Sequence, residues 1–290
     1  MTPELLTPGR LRDWPLPDAQ GDKESRGQLL VVGGTRTTPG GVLLAGEAGL
    51  RAGAGKLALA TAVSTATALG VAVPEAQVIG LEEDEDGNVA RSGATAVVER
   101  ARSAATVLLG PGFADPDATV ALLRDVVPHL DVPVAVDAVA SAYLTQDPGA
   151  LRHLSGRAVL TVNVAELART AGVDESTVER DAPGVAGELA RRCGVVVLCG
   201  GEGKCVAAPD GGAWLIDGGG PGLGVSGSGD VQAGIVAGLL ARGADPAQAA
   251  AWGGYLHARV GERLAAAVGV VGYLARELPG EVPAALAELG

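Results

Sequence analysis

The stretch "GVSGSGDVQAGIVAGLLARG", residues 224–243, joins a glycine-rich turn to a long apolar segment through one carboxylate, Asp230. The apolar segment predicts a helix, and the amides of Ser228, Gly229 and Asp230 would be among the unpaired donors of its first turn. Such amides, at the positive end of the helix dipole, form an anion site, and glycine lets an anion approach the backbone closely. The alternative is an aspartate that caps a helix after a tight turn.

Around this stretch, short β-rich runs alternate with longer segments of helical period. The predicted strands are "QLLVVGG" (28–34), "KLALATA" (56–62), "AQVIGL" (76–81), "TVLLGPG" (106–112), "VPVAVDA" (132–138), "AVLTVN" (158–163) and "VVVLCGG" (195–201). Apolar strands separated by helices indicate a mostly parallel sheet covered on both faces. A late hairpin is predicted from "CVAAPD" (205–210) and "AWLIDGG" (213–219). The expected fold is α/β, one three-layer αβα domain spanning residues 1–290.

Composition limits the function classes. The formal net charge of −12 over 290 residues argues against a nucleic-acid partner. An anionic small ligand would have to be held by backbone amides and a metal ion. No window approaches the roughly 20 apolar residues of a membrane span, and the N-terminus does not have the pattern of a signal peptide. Cys193, Cys199 and Cys205 lack zinc-site spacing, so we expect reduced thiols in a cytoplasmic protein.

Four of the predicted strands run into segments, three of them containing glycine pairs or closely spaced glycines, at the strand ends where ligands bind in open parallel sheets. These segments are "VVGGTRTTPGG" (31–41), "LLGPGF" (108–113), "LTVNVAE" (160–166) and "LCGGEG" (198–203). Neither the G-x-G-x-x-G fingerprint nor a Walker loop is present, so the sequence does not match the common nucleotide-binding motifs. Any one of these segments alone is more often a tight turn, but together with "GSGD" (227–230) they outline one candidate site.

The motifs in this order resemble a known family. The segment "SGSGDVQAGIVAGLLARGA" (226–244) resembles the G-[TS]-G-D segment of the ribokinase superfamily. Within that superfamily, the order of the glycine-ended strands is similar to that of the ADP- or ATP-dependent NAD(P)H-hydrate dehydratases, from about residue 26 onward. The resemblance implies a metabolite-repair lyase that uses a nucleotide to expel water from the S epimer of hydrated NADH or NADPH.

The resemblance also implies roles for individual residues. Asp230 would remove the hydroxyl proton, and Gly227, Ser228 and Gly229 would form an anion hole for the phosphoryl group. The hydrated dinucleotide would lie against Gly41, Gly112, Asn163 and Asp230, whereas the nucleotide would contact Cys199, Gly200, Gly201, Glu202, Gly203 and Gly229. Mg²⁺ would be held through the phosphates of ADP or ATP rather than by protein ligands. The family resemblance further implies a homotetramer.

The sequence departs from the family pattern at the nucleotide loop. Cys199 stands where the family has a lysine, which removes a cation that could meet the donor phosphates. Two alternatives therefore stay open: a small-molecule kinase of the same superfamily, such as one for a vitamin precursor, and a non-catalytic dinucleotide-binding relative. Asp137 is suited either to orienting Mg²⁺ or a substrate or to a structural hydrogen bond. His257 is predicted to be a packed core histidine.

Overall fold

The computed structural model describes residues 3–18, 21–201 and 203–289. Its strands are β1 (Glu4–Leu5), β2 (Gln28–Val32), β3 (Lys56–Ala62), β4 (Ala76–Leu81), β5 (Thr106–Leu109), β6 (Val134–Asp137), β7 (Ala158–Val162), β8 (Val196–Cys199), β9 (Lys204–Ala207) and β10 (Ala213–Ile216). Its helices are α1 (Pro8–Arg12), α2 (Gly40–Arg51), α3 (Val63–Ala72), α4 (Ala94–Ala101), α5 (Pro116–Val126), α6 (Ala142–Gln146), α7 (Val164–Ala171), α8 (Glu175–Cys193), α9 (Ser228–Ala241), α10 (Pro246–Ala267) and α11 (Leu278–Leu289).

The strands form one sheet in the order β1-β10-β9-β8-β7-β6-β5-β2-β3-β4. The seven strands from β8 to β4 are parallel to their neighbours, whereas β9 pairs antiparallel with both β8 and β10. The seven predicted strands and the late hairpin are therefore confirmed. The edge strand β1, which pairs with β10, is only two residues long and was not predicted.

Side chains alternate between the two faces of the sheet and build two apolar layers. On β2, Leu29 and Val31 face a core that includes residues of α2, α9, α10 and α11. Leu30 and Val32 face the opposite core, which includes residues of α4 to α8. This is the predicted three-layer αβα arrangement, with a mostly parallel sheet in the middle.

Helix α9 is buried on nearly all sides, and 12 of its 14 residues are buried. It approaches α2 backbone to backbone: a Cβ on Gly234 would lie 2.2 Å from the Ala45 carbonyl oxygen, and one on Gly238 would lie 2.3 Å from that of Gly49. Side chains at these positions would force the helices apart. Glycine therefore fixes how deeply α9 lies in the fold, and with it the position of the helix N-terminus.

In the described part of the chain, no helix is both long enough and apolar enough to cross a membrane.

Replacing Gly238 with alanine should destabilise the protein. The added Cβ would meet the backbone of α2, which cannot move without repacking the core, so we expect the free energy of unfolding to fall by about 1–3 kcal/mol. Urea unfolding measures this loss. The matched control is Gly187→Ala on α8, where only the end of the Arg191 side chain lies within 4 Å, at 3.9 Å. The control should gain about 0.5–1 kcal/mol. Equal midpoints for Gly238→Ala and wild type would contradict this packing.

Candidate active site

The topology creates a crevice between β2 and β5. From β4 at one edge of the sheet the chain returns to β5 beside β2, so the loops that leave these two neighbouring strands diverge, as at the ligand sites of open α/β sheets. Glycine brings the loop backbones together, because a Cβ on Gly33 would lie 2.0 Å from the Pro111 carbonyl oxygen. Thr38 Oγ1 also donates to the Gly112 carbonyl at 2.7 Å. The loops after β2 and β5 therefore form one connected wall.

The carboxylate of Asp230, at the start of α9, lies against this wall. A Cβ on Gly41 would lie 2.9 Å from Asp230 Oδ1 and 2.5 Å from the Gly112 nitrogen. The Gly112 amide lies near the Asp230 carboxylate and favours its charged form. Three residues that the sequence assigned to the substrate, Gly41, Gly112 and Asp230, are thus brought together, and any side chain at position 41 would displace the carboxylate.

The environment of Asp230 tunes it toward a general base. Burial raises the pKa of Asp230 to about 6; the Gly112 amide opposes this rise, and the Glu166 carboxylate adds to it. Such a carboxylate is ionised at neutral pH yet binds a proton more readily than an exposed aspartate. It therefore has the proton affinity that general-base catalysis near neutrality needs.

Two further carboxylates face the same region. Asp137, at the end of β6, is buried, and its Oδ1 accepts a hydrogen bond from Thr161 Oγ1 at 2.6 Å. Burial and the charge of Asp230 raise the pKa of Asp137 well above its ordinary value. Burial also raises the pKa of Glu166. Ala138, which follows Asp137 in the chain, has a φ of 50°, an uncommon conformation for a residue other than glycine. The site thus concentrates negative charge that a cation or a proton would neutralise.

Asn163 and Glu166 form a capping box at the start of α7. Asn163 Oδ1 accepts from the Glu166 amide at 2.9 Å, and Glu166 Oε2 accepts from the Asn163 amide at 3.0 Å. The box fixes both side chains at the carboxyl end of β7. Asn163 lines the cleft beside Asp230, whereas Gly41 and Gly112 lie on the wall behind that carboxylate.

The N-terminus of α9 partly matches the predicted anion hole. Gly227 caps the helix with a φ of 91°, and a Cβ there would lie 2.5 Å from Leu44 Cδ1. The Ser228 amide donates to the Val225 carbonyl at 3.1 Å, so it is not the free donor that the sequence predicts. This amide instead forms a hydrogen bond within the turn that precedes the helix. Within the described residues the Gly229 amide meets no carbonyl, so this donor stays open toward a ligand.

The predicted nucleotide loop contributes its backbone rather than the Cys199 side chain. Gly200 and Gly201 line the cleft, and the Gly200 amide donates to the Val162 carbonyl at 2.8 Å. Cys199 belongs to the opposite core, beside Cys205, and its thiol pKa is raised by that neighbour and by burial. Gly203 is described but is not among the residues that line the cleft. Glu202, also predicted here, lies outside the described residues.

The structure adds residues to the site that sequence reasoning missed. Lys204, the first residue of β9, lines the cleft together with Gln232 of α9 and His257 of α10. Burial lowers the pKa of Lys204 to about 8. His257 is buried, as predicted, and its Nε2 lies 3.0 Å from Ser228 Oγ. The one available signal for Lys204 was a lysine at the start of the otherwise apolar run "KCVAA" (204–208).

These groups surround a cleft of about 1090 Å³, which includes Asp230, the Gly229 turn and Lys204. This volume suits a ligand of nucleotide size. A second cleft, of about 780 Å³, lies between α4 and α5 and contains the exposed ion pair of Arg91 with Asp125. That surface contains none of the buried titratable groups described above. The arrangement in the first cleft can bind an anion at a helix N-terminus beside a carboxylate base.

The comparisons with known proteins agree with this geometry. The sequence matches the NAD(P)H-hydrate dehydratase family over residues 29–284. It is 44% identical over 284 residues to the ADP-dependent (S)-NAD(P)H-hydrate dehydratase of Xanthomonas campestris pv. campestris, covering 98% of this chain and 96% of that protein. A ribokinase-like superfamily protein from Enterococcus faecalis superposes with a TM-score of 0.84 at 22% identity, covering 99% and 96% of the two chains. The Bacillus subtilis ADP/ATP-dependent NAD(P)H-hydrate dehydratase, co-crystallised with ATP/Mg²⁺, gives 0.82 at 25% identity and covers both chains completely.

The chain therefore has the ribokinase-like fold, with the candidate site residues at the carboxyl edge of a mostly parallel sheet. Over nearly its whole length, this chain belongs to the NAD(P)H-hydrate dehydratase family. The family and fold that the sequence motifs predicted are confirmed.

Replacing Glu166 with glutamine should lower the pKa of Asp230, because the negative charge of Glu166 contributes to raising it. Activity that needs ionised Asp230 falls as the pH drops through about 6, so the acid limb of the pH–rate profile should move to lower pH in the variant. Glu179→Gln is the matched control, since Glu179 lines the same cleft but does not contribute to the Asp230 shift. An unmoved acid limb in Glu166→Gln would contradict the coupling.

Proposed function

We propose that this protein catalyses the nucleotide-dependent dehydration of the S epimer of hydrated NADH and NADPH, restoring the reduced dinucleotide. Family membership and the similarity to the Xanthomonas enzyme support this assignment. One structural observation carries it furthest: a carboxylate whose pKa is raised to about 6 lies between the glycine wall and the nucleotide-sized cleft. A base at that boundary is placed to activate a hydroxyl for phosphoryl transfer.

The chemistry has two stages. Hydroxide is a poor leaving group, so the ring hydroxyl is first phosphorylated. Asp230 takes the proton of this hydroxyl while the hydroxyl oxygen bonds to the terminal phosphorus of ADP or ATP, which releases AMP or ADP. The lone pair of the ring nitrogen then expels phosphate, and loss of a proton from the neighbouring carbon restores the ring double bond. The net result is removal of water from the hydrate and cleavage of one phosphoanhydride bond.

The chain's own groups support the first stage. The Gly229 amide and the dipole of α9 stabilise negative charge on the transferring phosphoryl group. The absence of a side chain at Gly41 lets the Asp230 carboxylate lie against the Gly112 backbone, because a Cβ at position 41 would lie 2.9 Å from Asp230 Oδ1.

The residues present fit Mg²⁺. Asp137, Glu166 and Asp230 offer carboxylate oxygens, the ligands that Mg²⁺ prefers, and burial together with neighbouring negative charge raises the pKa of Asp137 and of Asp230. Among the described residues no group of three or more histidine, cysteine or acidic side chains is close enough to hold a metal alone. The ion would be held through the nucleotide phosphates, in the cleft that Glu166 and Asp137 also line. When bound, it would neutralise phosphate charge.

The test that separates the open alternatives incubates the enzyme with hydrated NADH and either ADP or ATP. Dehydration restores the absorbance band of NADH and releases phosphate, whereas a small-molecule kinase would release a phosphorylated product and restore no NADH. A non-catalytic relative would bind the dinucleotide in calorimetry and bind neither nucleotide. No recovery of NADH with either donor would overturn the assignment. Comparing the two donors measures the preference, for which similarity to the Xanthomonas enzyme favours ADP.

The assembly and the cellular location follow from the family resemblance as further proposals. We propose a homotetramer, which light scattering of the purified protein measures directly. The cysteines of the described chain are free and buried, which accords with a reducing cytoplasm.

Replacing Asp230 with asparagine should reduce kcat by about 10²–10⁴-fold, because the amide cannot accept the hydroxyl proton. The side chain keeps its shape, so binding of NADPH, used as an unreactive probe, should change little. Steady-state kinetics and calorimetry on the same variant measure the two effects. Glu179→Gln is the control and should keep the wild-type kcat, since Glu179 lines the same cleft but does not contribute to the raised pKa of Asp230. Turnover by Asp230→Asn at the wild-type rate would remove this residue from the mechanism.

A further inference from the structure

Lys204 occupies a place in the fold where a cation would meet the donor phosphates. It begins β9 at the carboxyl edge of β8, and Cys199 of β8 lies opposite Cys205 of β9. Because side chains alternate along a strand, Lys204 shares a sheet face with Val206, which packs in the core of α9 and α10. The lysine therefore points toward the N-terminus of α9, whereas the flanking Cys199 and Cys205 point to the other core.

The ammonium group of Lys204 has no carboxylate partner among the described residues. Only 5% of Lys204 is exposed, and it takes part in none of the ion pairs of the described chain. By contrast, the exposed Lys56 pairs with Glu24. Burying an unpaired charge is costly, so an unpartnered lysine in a ligand cleft indicates a ligand of opposite charge.

The neighbours of Lys204 extend this site to the helix N-terminus. Burial lowers the pKa of His257, and the nearby charge of Lys204 lowers it further. His257 Nε2 lies 3.0 Å from Ser228 Oγ. Ser228 begins α9, where the Gly229 amide is open. A cation, a hydroxyl and a helix N-terminus thus line one side of the same cleft.

We propose that Lys204 binds a phosphate group of the nucleotide and is the cation of the donor site. The proposal rests on the function proposed above, since it assigns the cleft to ADP or ATP. With the Lys204 pKa at about 8, the ammonium is mostly protonated at neutral pH, and a bound phosphate would hold it in that form. In a chain with a net charge of −12, this lysine supplies the local positive charge that a nucleotide polyphosphate needs.

The primary test compares Lys204→Met with Lys204→Arg by calorimetry, using ADP and adenosine as probes. Methionine keeps the length of the side chain without its charge, so affinity for ADP should fall about 10–100-fold, the size expected for one charged hydrogen bond. Affinity for adenosine should not change, and Lys204→Arg should retain most of the ADP affinity. Lys56→Met, which removes an exposed lysine away from the cleft, should behave as wild type.

Thermal unfolding of Lys204→Met gives a second readout, because a phosphate-binding role and a purely structural role of Lys204 predict opposite changes in the unfolding temperature. Ligand-free Lys204→Met should unfold at a higher temperature than wild type at pH 7, because a buried unpaired charge has been removed. The increase in unfolding temperature caused by ADP should be smaller in the variant. A lysine that only supports the fold would instead lower the unfolding temperature of the ligand-free protein.

The wild-type protein provides a test that needs no variant. The chain has three lysines, Lys23, Lys56 and Lys204, so reductive methylation followed by mass spectrometry resolves each one. ADP should slow methylation of Lys204 and leave Lys23 and Lys56 unchanged. Equal labelling of Lys204 with and without ADP would overturn the proposal.

The results also separate this proposal from the assignment of function. If wild type binds ADP and Lys204→Met does not, but no NADH is recovered from its hydrate, the donor site stands and the dehydratase assignment fails. If wild type restores NADH and folded Lys204→Met binds ADP as tightly as wild type, or loses ADP and adenosine binding equally, the role of Lys204 fails alone.

Discussion

The close approach of α9 to α2 is the contact on which the active site depends. The two helices meet through Gly234 and Gly238, where a Cβ would lie within 2.3 Å of the α2 backbone. A larger residue at either position would move α9 outward. Because Asp230 and the open Gly229 amide lie in the first turn of α9, their distance from the loops after β2 and β5 is set by this packing. The core of the protein thus positions the carboxylate that we propose as the base.

The position of Asp230 within the fold also makes its environment unfavourable for the charged carboxylate. Asp137, Glu166 and Asp230 are enclosed together, and burial is the largest cause of the raised pKa in each case. Three carboxylates in one site would repel an anionic nucleotide if nothing offset them. Lys204, the α9 dipole and a phosphate-bound cation are the available offsets. In the function proposed above, the donor and its metal would complete the charge balance of this site.

Much of the fold could be predicted from the sequence because each central strand is a continuous apolar run that ends in glycine or a polar residue. Helix α3 is not apparent in the sequence, since "VSTATALGVA" (63–72) is rich in β-branched and small residues and has no amphipathic period. Helix α11 contains Pro279, Gly280 and Pro283, residues that argue against a helix when tertiary packing is unknown. Strand β1 depends on a partner, β10, that lies more than 200 residues away along the chain.

Prediction of the site from the sequence was limited for a different reason: the face to which a strand side chain points depends on the register with the neighbouring strand. The residues of the G-S-G-D turn lie where the motif placed them, because a helix N-terminus is a local feature. The side of the sheet on which Cys199 and Lys204 lie depends instead on the register between β8 and β9. The loss of the family's lysine at position 199 suggested a donor site without a cation. Because Cys199 lies opposite Cys205, the next residue, Lys204, must face α9. The chain therefore has no cation at position 199 of the loop but has one at position 204, in the cleft.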